Sequence, residues 1–193
     1  LVAVDKNMLA SGLEWVDIHI PISTYETEDV IDKLTQIFVE YDVVGVVCRA
    51  TGQALYTTAN IAETFKLPGL SKDIVRIATE KSALRDFCNS RNIKTVHGER
   101  IEPGGNFDAV TSNLRLPIII KPDATIVGKK DIKVIWEYAH LEKAVQSARR
   151  SSANGLVEVE EYVDGFDVTT LFLINAGKAK TIAIVDELIG VQN

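Results

Sequence analysis

Apolar residues in positions 1–70 come in two textures. "LVAVD" (1–5) and "VVGVVC" (43–48) are short continuous runs, the pattern of strands buried on both faces. "WVDIHIP" (15–21) alternates and stops at proline, which predicts a short edge-like strand. Between them Val30, Leu34, Ile37 and Phe38 recur at helical spacing, behind a Ser23-x-x-Glu26 capping box and the acids Glu28 and Asp29. Leu55, Thr58, Ala62 and Phe65 mark a second helix face, which Pro68-Gly69 ends. Strand, helix, strand, helix at short connections predicts a parallel sheet covered by helices.

From Ser71 the pattern changes. Thr79 is placed to cap a helix carrying Ala83, Leu84, Phe87 and Cys88 on one face. "NIKTV" (92–96) predicts a short strand, and "PGGNFDAVTSNL" a glycine turn with a short helix. "PIIIKP" (117–122) and "IKVIW" (132–136) predict two strands around a polar loop. Leu141, Ala144, Val145 and Ala148 give an amphipathic helix. "GLVEVEEYV", "DVTTLFLI" and "KAKTIAIV" predict three more strands, the last two joined by a turn at Asn175-Ala176-Gly177. This half reads as α+β with antiparallel hairpins, and a domain boundary falls near Leu70–Lys72.

Charge narrows the function classes. The net charge of −6 over 193 residues argues against a general binder of nucleic acid or membrane surfaces, which present a basic face. No apolar run approaches the ~20 residues of a membrane span, and no signal-peptide pattern opens the chain. Cys48 and Cys88 sit in apolar surroundings and predict buried free thiols, while His19, His97 and His140 are scattered and make no metal spacing. A cytoplasmic protein is expected. The abrupt strand-like start and the ending after "KTIAIVDELIGVQN" predict a fragment of a longer chain.

Candidate chemistry lies where polar residues interrupt apolar runs. Lys121 follows three isoleucines, where an unpaired ammonium carries a desolvation cost. Lys81 lies in the first turn of a predicted helix, an end that favours anions. Glu160 and Glu161 close the strand "LVEVEEY", ahead of Val163 and Asp167. Two lysines, the loop 123–131 with Thr125 and Gly128, and a carboxylate-rich strand end could form a nucleotide site. The lysines would neutralise phosphate oxygens, the loop would offer backbone N–H groups, and the carboxylates would accept from base and ribose. Arg49, Thr51 and Gly52 lie at the end of a predicted parallel strand, where ligands gather, or else form a simple turn.

These residues resemble a family. "TEKSALRDF", "PIIIKPDATIVGKKDIKVI" and "VEVEEYVDGFDVT" are similar, in order and spacing, to the nucleotide motifs of ATP-grasp ligases such as D-alanine–D-alanine ligase, biotin carboxylase and the large subunit of carbamoyl phosphate synthetase. The resemblance implies a fold class of α/β then α+β. Residues 1–70 would be a pre-ATP-grasp parallel sheet domain without its first strand. Residues 71–193 would be an incomplete ATP-grasp domain without its C-terminal metal-binding part. It implies that Lys81 and Lys121 meet phosphates, with Thr125 and Gly128 in the phosphate loop. Glu160 would meet the adenine amino group, Glu161 and Val163 would form the hinge on the adenine edge, and Asp167 would bind ribose. The family usually has glutamate at that last position, and its phosphate loop is richer in glycine than "DATIVGKKD".

The implied function is an ATP- and magnesium-dependent ligase that joins a small carboxylate to an amine through an acylphosphate. Its metal ligands lie beyond this chain, so the fragment itself is expected to be inactive. No catalytic residue is assigned, and a homo-oligomer is compatible. The other reading is a non-catalytic nucleotide sensor or interaction module on the same fold, which the glycine-poor loop favours.

Overall fold

The computed structural model describes residues 1–125, 131–175 and 177–186. They fall into two compact units, one spanning Leu1–Glu161 and one starting at Tyr162. Among the described residues no helix is long and apolar enough to cross a membrane.

The first unit opens with β1 (Val2–Val4) and β2 (Ile18–Ile20), paired in parallel with Val2 opposite Ile18 and Val4 opposite Ile20. α1 (Thr27–Glu40) buries Val30, Leu34 and Ile37, the stripe its spacing predicts. It begins later than the Ser23 capping box implies. Ser23 Oγ accepts from the Tyr25 N–H (3.2 Å) and the Ser23 carbonyl from the Glu26 N–H (3.0 Å). Ser23 thus closes a local turn, the competing use of a serine side chain. α2 (Gln53–Thr64) enters through Gly52, whose φ of 68° accounts for a glycine there without a ligand. It buries Ala54, Thr57, Ala59, Ile61 and Ala62, a wider face than the sequence stripe, and Phe38 stacks on Phe65 at 4.0 Å between ring centroids.

Residues 43–48 differ from expectation. They form no strand, and Val44 and Val47 are 76% and 89% exposed. β-propensity describes fit to a neighbouring strand rather than a backbone preference, and this segment has none. Among the described residues β1 likewise pairs on one side only, with β2. The segment and β1 instead border an apolar cavity of about 980 Å³. Cys48 and Cys88 are free but half-buried rather than buried.

α3 (Lys72–Thr79) is capped by Ser71, whose Oγ accepts from the Ile74 N–H at 3.4 Å. One extended residue, Glu80, separates it from α4 (Lys81–Ser90). Thr79 is therefore the end of α3 and not the cap of α4. Its hydroxyl donates to the Val75 carbonyl (2.8 Å), and Tyr56 of α2 donates to Glu80 Oε1 (3.0 Å).

The main sheet has β3 (Gly98–Ile101), β4 (Ile118–Pro122), β5 (Lys133–Ile135) and β6 (Val157–Glu161) in the order β3-β6-β4-β5, every pair antiparallel. Asn92–Val96, expected as a strand, is exposed coil. The strand is the next segment, "GERI", which β6 recruits by pairing. Residues directly opposite in an antiparallel ladder share a face. One face is apolar: Ile101, Ile118, Ile120, Ile135, Val157 and Val159 pack with Leu141, Ala144, Val145 and Ala148 of α6 (Leu141–Ser151) and with Val110 of α5 (Asp108–Asn113). The opposite face carries Gly98, Arg100, Ile119, Lys121, Val134, Glu158 and Glu160.

The second unit is a hairpin of β7 (Val168–Asn175) and β8 (Lys178–Asp186), with a register shift between Leu171 and Phe172. Phe172 and Leu173 point to opposite faces by strand alternation, yet they are 56% and 58% exposed.

Ile120 is fully buried under α6. Ile120→Ala should destabilise the protein by about 2–5 kcal/mol in urea titrations. Val44→Ala should change stability by no more than ~0.5 kcal/mol. Equal losses for the two would contradict the placement of the core.

Candidate functional site

Strand alternation explains how a lysine follows three isoleucines. Ile118, Ile120 and Pro122 are buried on the α6 face, while Ile119 and Lys121 project to the other. On that face Lys121 stands opposite Glu158 and diagonal to Glu160. Its Nζ donates to Glu160 Oε2. The anion that meets this lysine is therefore Glu160, one of the two glutamates singled out from the sequence.

A third group joins them from above the sheet. Arg85 of α4 donates through Nη2 to Glu160 Oε1 at 3.0 Å and to Glu158 Oε2 at 2.5 Å. Glu158 Oε1 also accepts from Arg100 Nε at 3.4 Å, and Arg100 reaches Asp86 at 2.9 Å. Exposure falls inward along this network: Lys121 is 23% exposed, Glu160 17% and Glu158 0%. Burial pushes the Glu158 pKa up from the ordinary carboxylate range, and Arg85 opposes that shift.

Lys81 lies beside this network. Its Nζ donates to the Pro122 and Asp123 carbonyls at 2.8 and 3.0 Å. Desolvation lowers its pKa; Asp123 raises it, and the nearby Lys121 charge lowers it further. The anion at the start of α4 comes from the chain itself. Asp123, fully buried, accepts from the Ser82 N–H (2.6 Å), the Ser82 hydroxyl (3.0 Å) and Asn154 Nδ2 (2.6 Å). A lysine in this first turn therefore needs no external anion to offset the helix dipole.

Past the end of β4, Thr125 forms an isolated bridge to Ser152, and Ala124 one to Glu80. Asp131 is held to α6: Ser147 donates to it at 2.7 Å, and Ser151 donates to its other oxygen. Gly128 lies outside the described residues. Glu161 sits on the opposite face from Glu160, near His97 Nδ1 at 3.6 Å, as successive strand residues must. Val163 and Asp167 belong to the second unit and are exposed. Of the sequence candidates, the first unit thus gathers Lys81, Lys121 and Glu160 on one side of the sheet. Among the described residues no group of three His, Cys, Asp or Glu is placed to hold a metal ion.

Sequence reasoning passed over Arg85, Glu158 and Asp123. Two had a periodic signal. Arg85 is four residues after Lys81, on the same helix face, and Glu158 is two before Glu160, on the same strand face. Asp123 had only its place after β4.

No protein-family model matches the chain. Solved structures do. L-amino acid ligase from Bacillus licheniformis matches with a TM-score of 0.71 and 23% identity, over 89% of this chain and 39% of its own. N5-carboxyaminoimidazole ribonucleotide synthetase, in an ADP complex, matches with a TM-score of 0.78 and 13% identity, over 100% of this chain and 48% of its own. D-alanine–D-alanine ligase from Bacillus anthracis, complexed with ATP, gives 0.63 and 18%, over 88% and 53%. The chain therefore has the fold of the ATP-grasp ligases, an α/β part followed by an α+β part, and it spans about half or less of the length of these structures.

Two outcomes follow from the buried charges. Asp123→Ala should cost about 3 kcal/mol through the lost charged hydrogen bonds, and it should lower the Lys81 pKa further, read from the lysine Cε resonance by NMR. An unmoved resonance would contradict the Lys81–Asp123 coupling. Arg85→Met should cost about 3–5 kcal/mol near neutral pH, because Glu158 loses its main cation. A carboxyl whose folded pKa is raised binds its proton more tightly in the native state, so its contribution to stability falls as pH rises from the ordinary carboxylate range through the raised value. The gap between Arg85→Met and the parent should therefore shrink as pH falls through that window. A gap that widens on acidification would oppose the assignment.

Proposed function

We propose that this chain is the N-terminal, nucleotide-binding part of an ATP-dependent ligase that joins a small carboxylate to an amine through an acylphosphate. The observation that carries this reading is the convergence of Lys121, Glu160 and Lys81 on one side of the β3–β6 sheet. Two ammonium groups there suit phosphate oxygens, and an ionised glutamate is an acceptor suited to the adenine amino group. Thr125 and Gly128 would belong to the phosphate loop, Glu161 and Val163 to the hinge on the adenine edge, and Asp167 to the ribose contact.

ATP would supply the phosphoryl group that activates the carboxylate. The contribution of this chain's residues is electrostatic: Lys121 and Lys81 offset negative charge on the nucleotide. Magnesium would accompany the ATP, with no residue of this chain assigned to hold it. The exposed apolar residues on both faces of the β7–β8 hairpin fit a sheet on which further elements pack. A non-catalytic nucleotide-binding module on the same fold makes the same binding prediction and differs in having no turnover.

Lys121→Met keeps the apolar stem and removes the charge. By calorimetry it should weaken ATP binding about tenfold or more, the scale of one charged contact, and lower turnover in a catalytically competent protein. Unchanged ATP affinity and turnover would overturn the proposal.

A further inference from the structure

We infer that Arg85 is a positioning residue for recognition of the purine amino group: it holds Glu160 by Oε1, leaving Oε2, which Lys121 holds here, as the oxygen exchanged for the base. This rests on the nucleotide reading above and goes beyond it in assigning Arg85, Glu158 and Gly98.

The argument starts from the two oxygens of Glu160. Both are engaged, Oε1 by Arg85 and Oε2 by Lys121. If Lys121 turns to a phosphate, Glu160 loses one cation while only 17% exposed. Arg85 is the cation that stays. It holds Oε1 and fixes the plane of the carboxylate, so that Oε2 faces the base as an acceptor.

Arg85 is itself fixed. Its Nη2 is shared between Glu160 and the fully buried Glu158, and Nη1 faces the Val96 carbonyl at 3.4 Å. Gly98 stands opposite Glu160 in the β3–β6 ladder, on the same face. A Cβ there would lie 2.2 Å from Arg85 Nη1. The missing side chain gives the guanidinium its seat on the sheet. A lysine at position 85 could carry the charge but not the planar fork that meets two carboxylates and a carbonyl together.

A fixed carboxylate discriminates by donor. Adenine presents an amino group at C6, while hypoxanthine presents a carbonyl oxygen that a carboxylate repels. A loosely held glutamate can turn aside from the carbonyl; one clamped by Arg85 cannot. Sites built around such a hydrogen bond reject analogues lacking it far better than apolar pockets do.

The test compares ATP with ITP, which differ at C6, by calorimetry on the protein. The variant Arg85→Met/Glu158→Leu replaces the buried pair with apolar groups of similar size, so its folding does not depend on an orphaned charge. It should unfold near the parent temperature, bind ATP about tenfold more weakly, and lose most of the preference for ATP over ITP. Arg85→Lys should fold and show the same loss of preference to a smaller degree, which keeps the question answerable if the double variant fails to fold. Parental ATP affinity and ATP/ITP ratio in either folded variant would overturn the role of Arg85 while leaving the nucleotide site standing. A parent protein that binds neither nucleotide would overturn the nucleotide reading and this inference with it. A parent that binds both equally would overturn the inference alone.

Discussion

Glu158 is a carboxylate with no exposed surface in the middle of a sheet, and a buried charge must be met by another. That requirement organises the polar face. It draws Arg85 down from α4 and Arg100 across from β3. It also explains a strand as polar as "GERI", in which Arg100 pairs with Glu158 and Gly98 makes room for Arg85. Because Arg85 belongs to α4, the ion pair sets where that helix lies on the sheet. Asp123, just past the end of β4, fixes the start of the same helix. Two buried carboxylates, one at each end of a short span, thus hold α4 against the face on which Lys121 and Glu160 stand.

The apolar face obeys a simpler rule. Ile118, Ile120, Val157 and Val159 alternate with the polar residues and meet the helical stripe of α6. This half of the design is legible in the sequence because period 2 and period 3.6 survive in a single chain without knowledge of partners. β4, β6, α6 and the terminal hairpin were all read from it. The failures have one cause. "VVGVVC" has the composition of a strand, but a strand exists only where a neighbour pairs with it, and none does so here. "NIKTV" likewise looks more strand-like than "GERI", yet β6 pairs with the latter, whose apolar count is low because one face carries charge.

The site shows the same division. Lys121 and Glu160 are visible as charges that interrupt apolar strands, and Lys81 as a cation at a helix start. Arg85 and Glu158 are not, because each looks like a solvated residue until the other is placed 2.5 Å away. Ser23 and Thr79 were misread for a related reason: a hydroxyl that can cap a helix can equally close a turn or bond back to its own helix, and sequence does not rank these options. Periodicity reports the face each residue takes but not which charges meet across the fold, so polar networks are the part of a fold that one sequence reports least.

Magnitudes decide which cation beside Glu160 is free to move. The Lys121–Glu160 pair is about one-fifth exposed on either side, so water reaches both groups and its loss costs less than that of the fully buried Glu158 pair. Micromolar binding of a nucleotide releases about 8 kcal/mol, so breaking that contact is a small charge against it, and the ammonium regains an anion in phosphate. The Arg85–Glu158 pair is another matter. Removing one partner of a buried pair costs about 3–5 kcal/mol, and nothing entering from solvent reaches Glu158 to replace it. Lysine suits the movable contact, as a point charge on a flexible stem, and arginine suits the fixed one, as a planar fork with several donors. The residue types therefore match the mobilities that the burial imposes: the exchangeable cation lies at the rim, and the permanent one lies over the glycine.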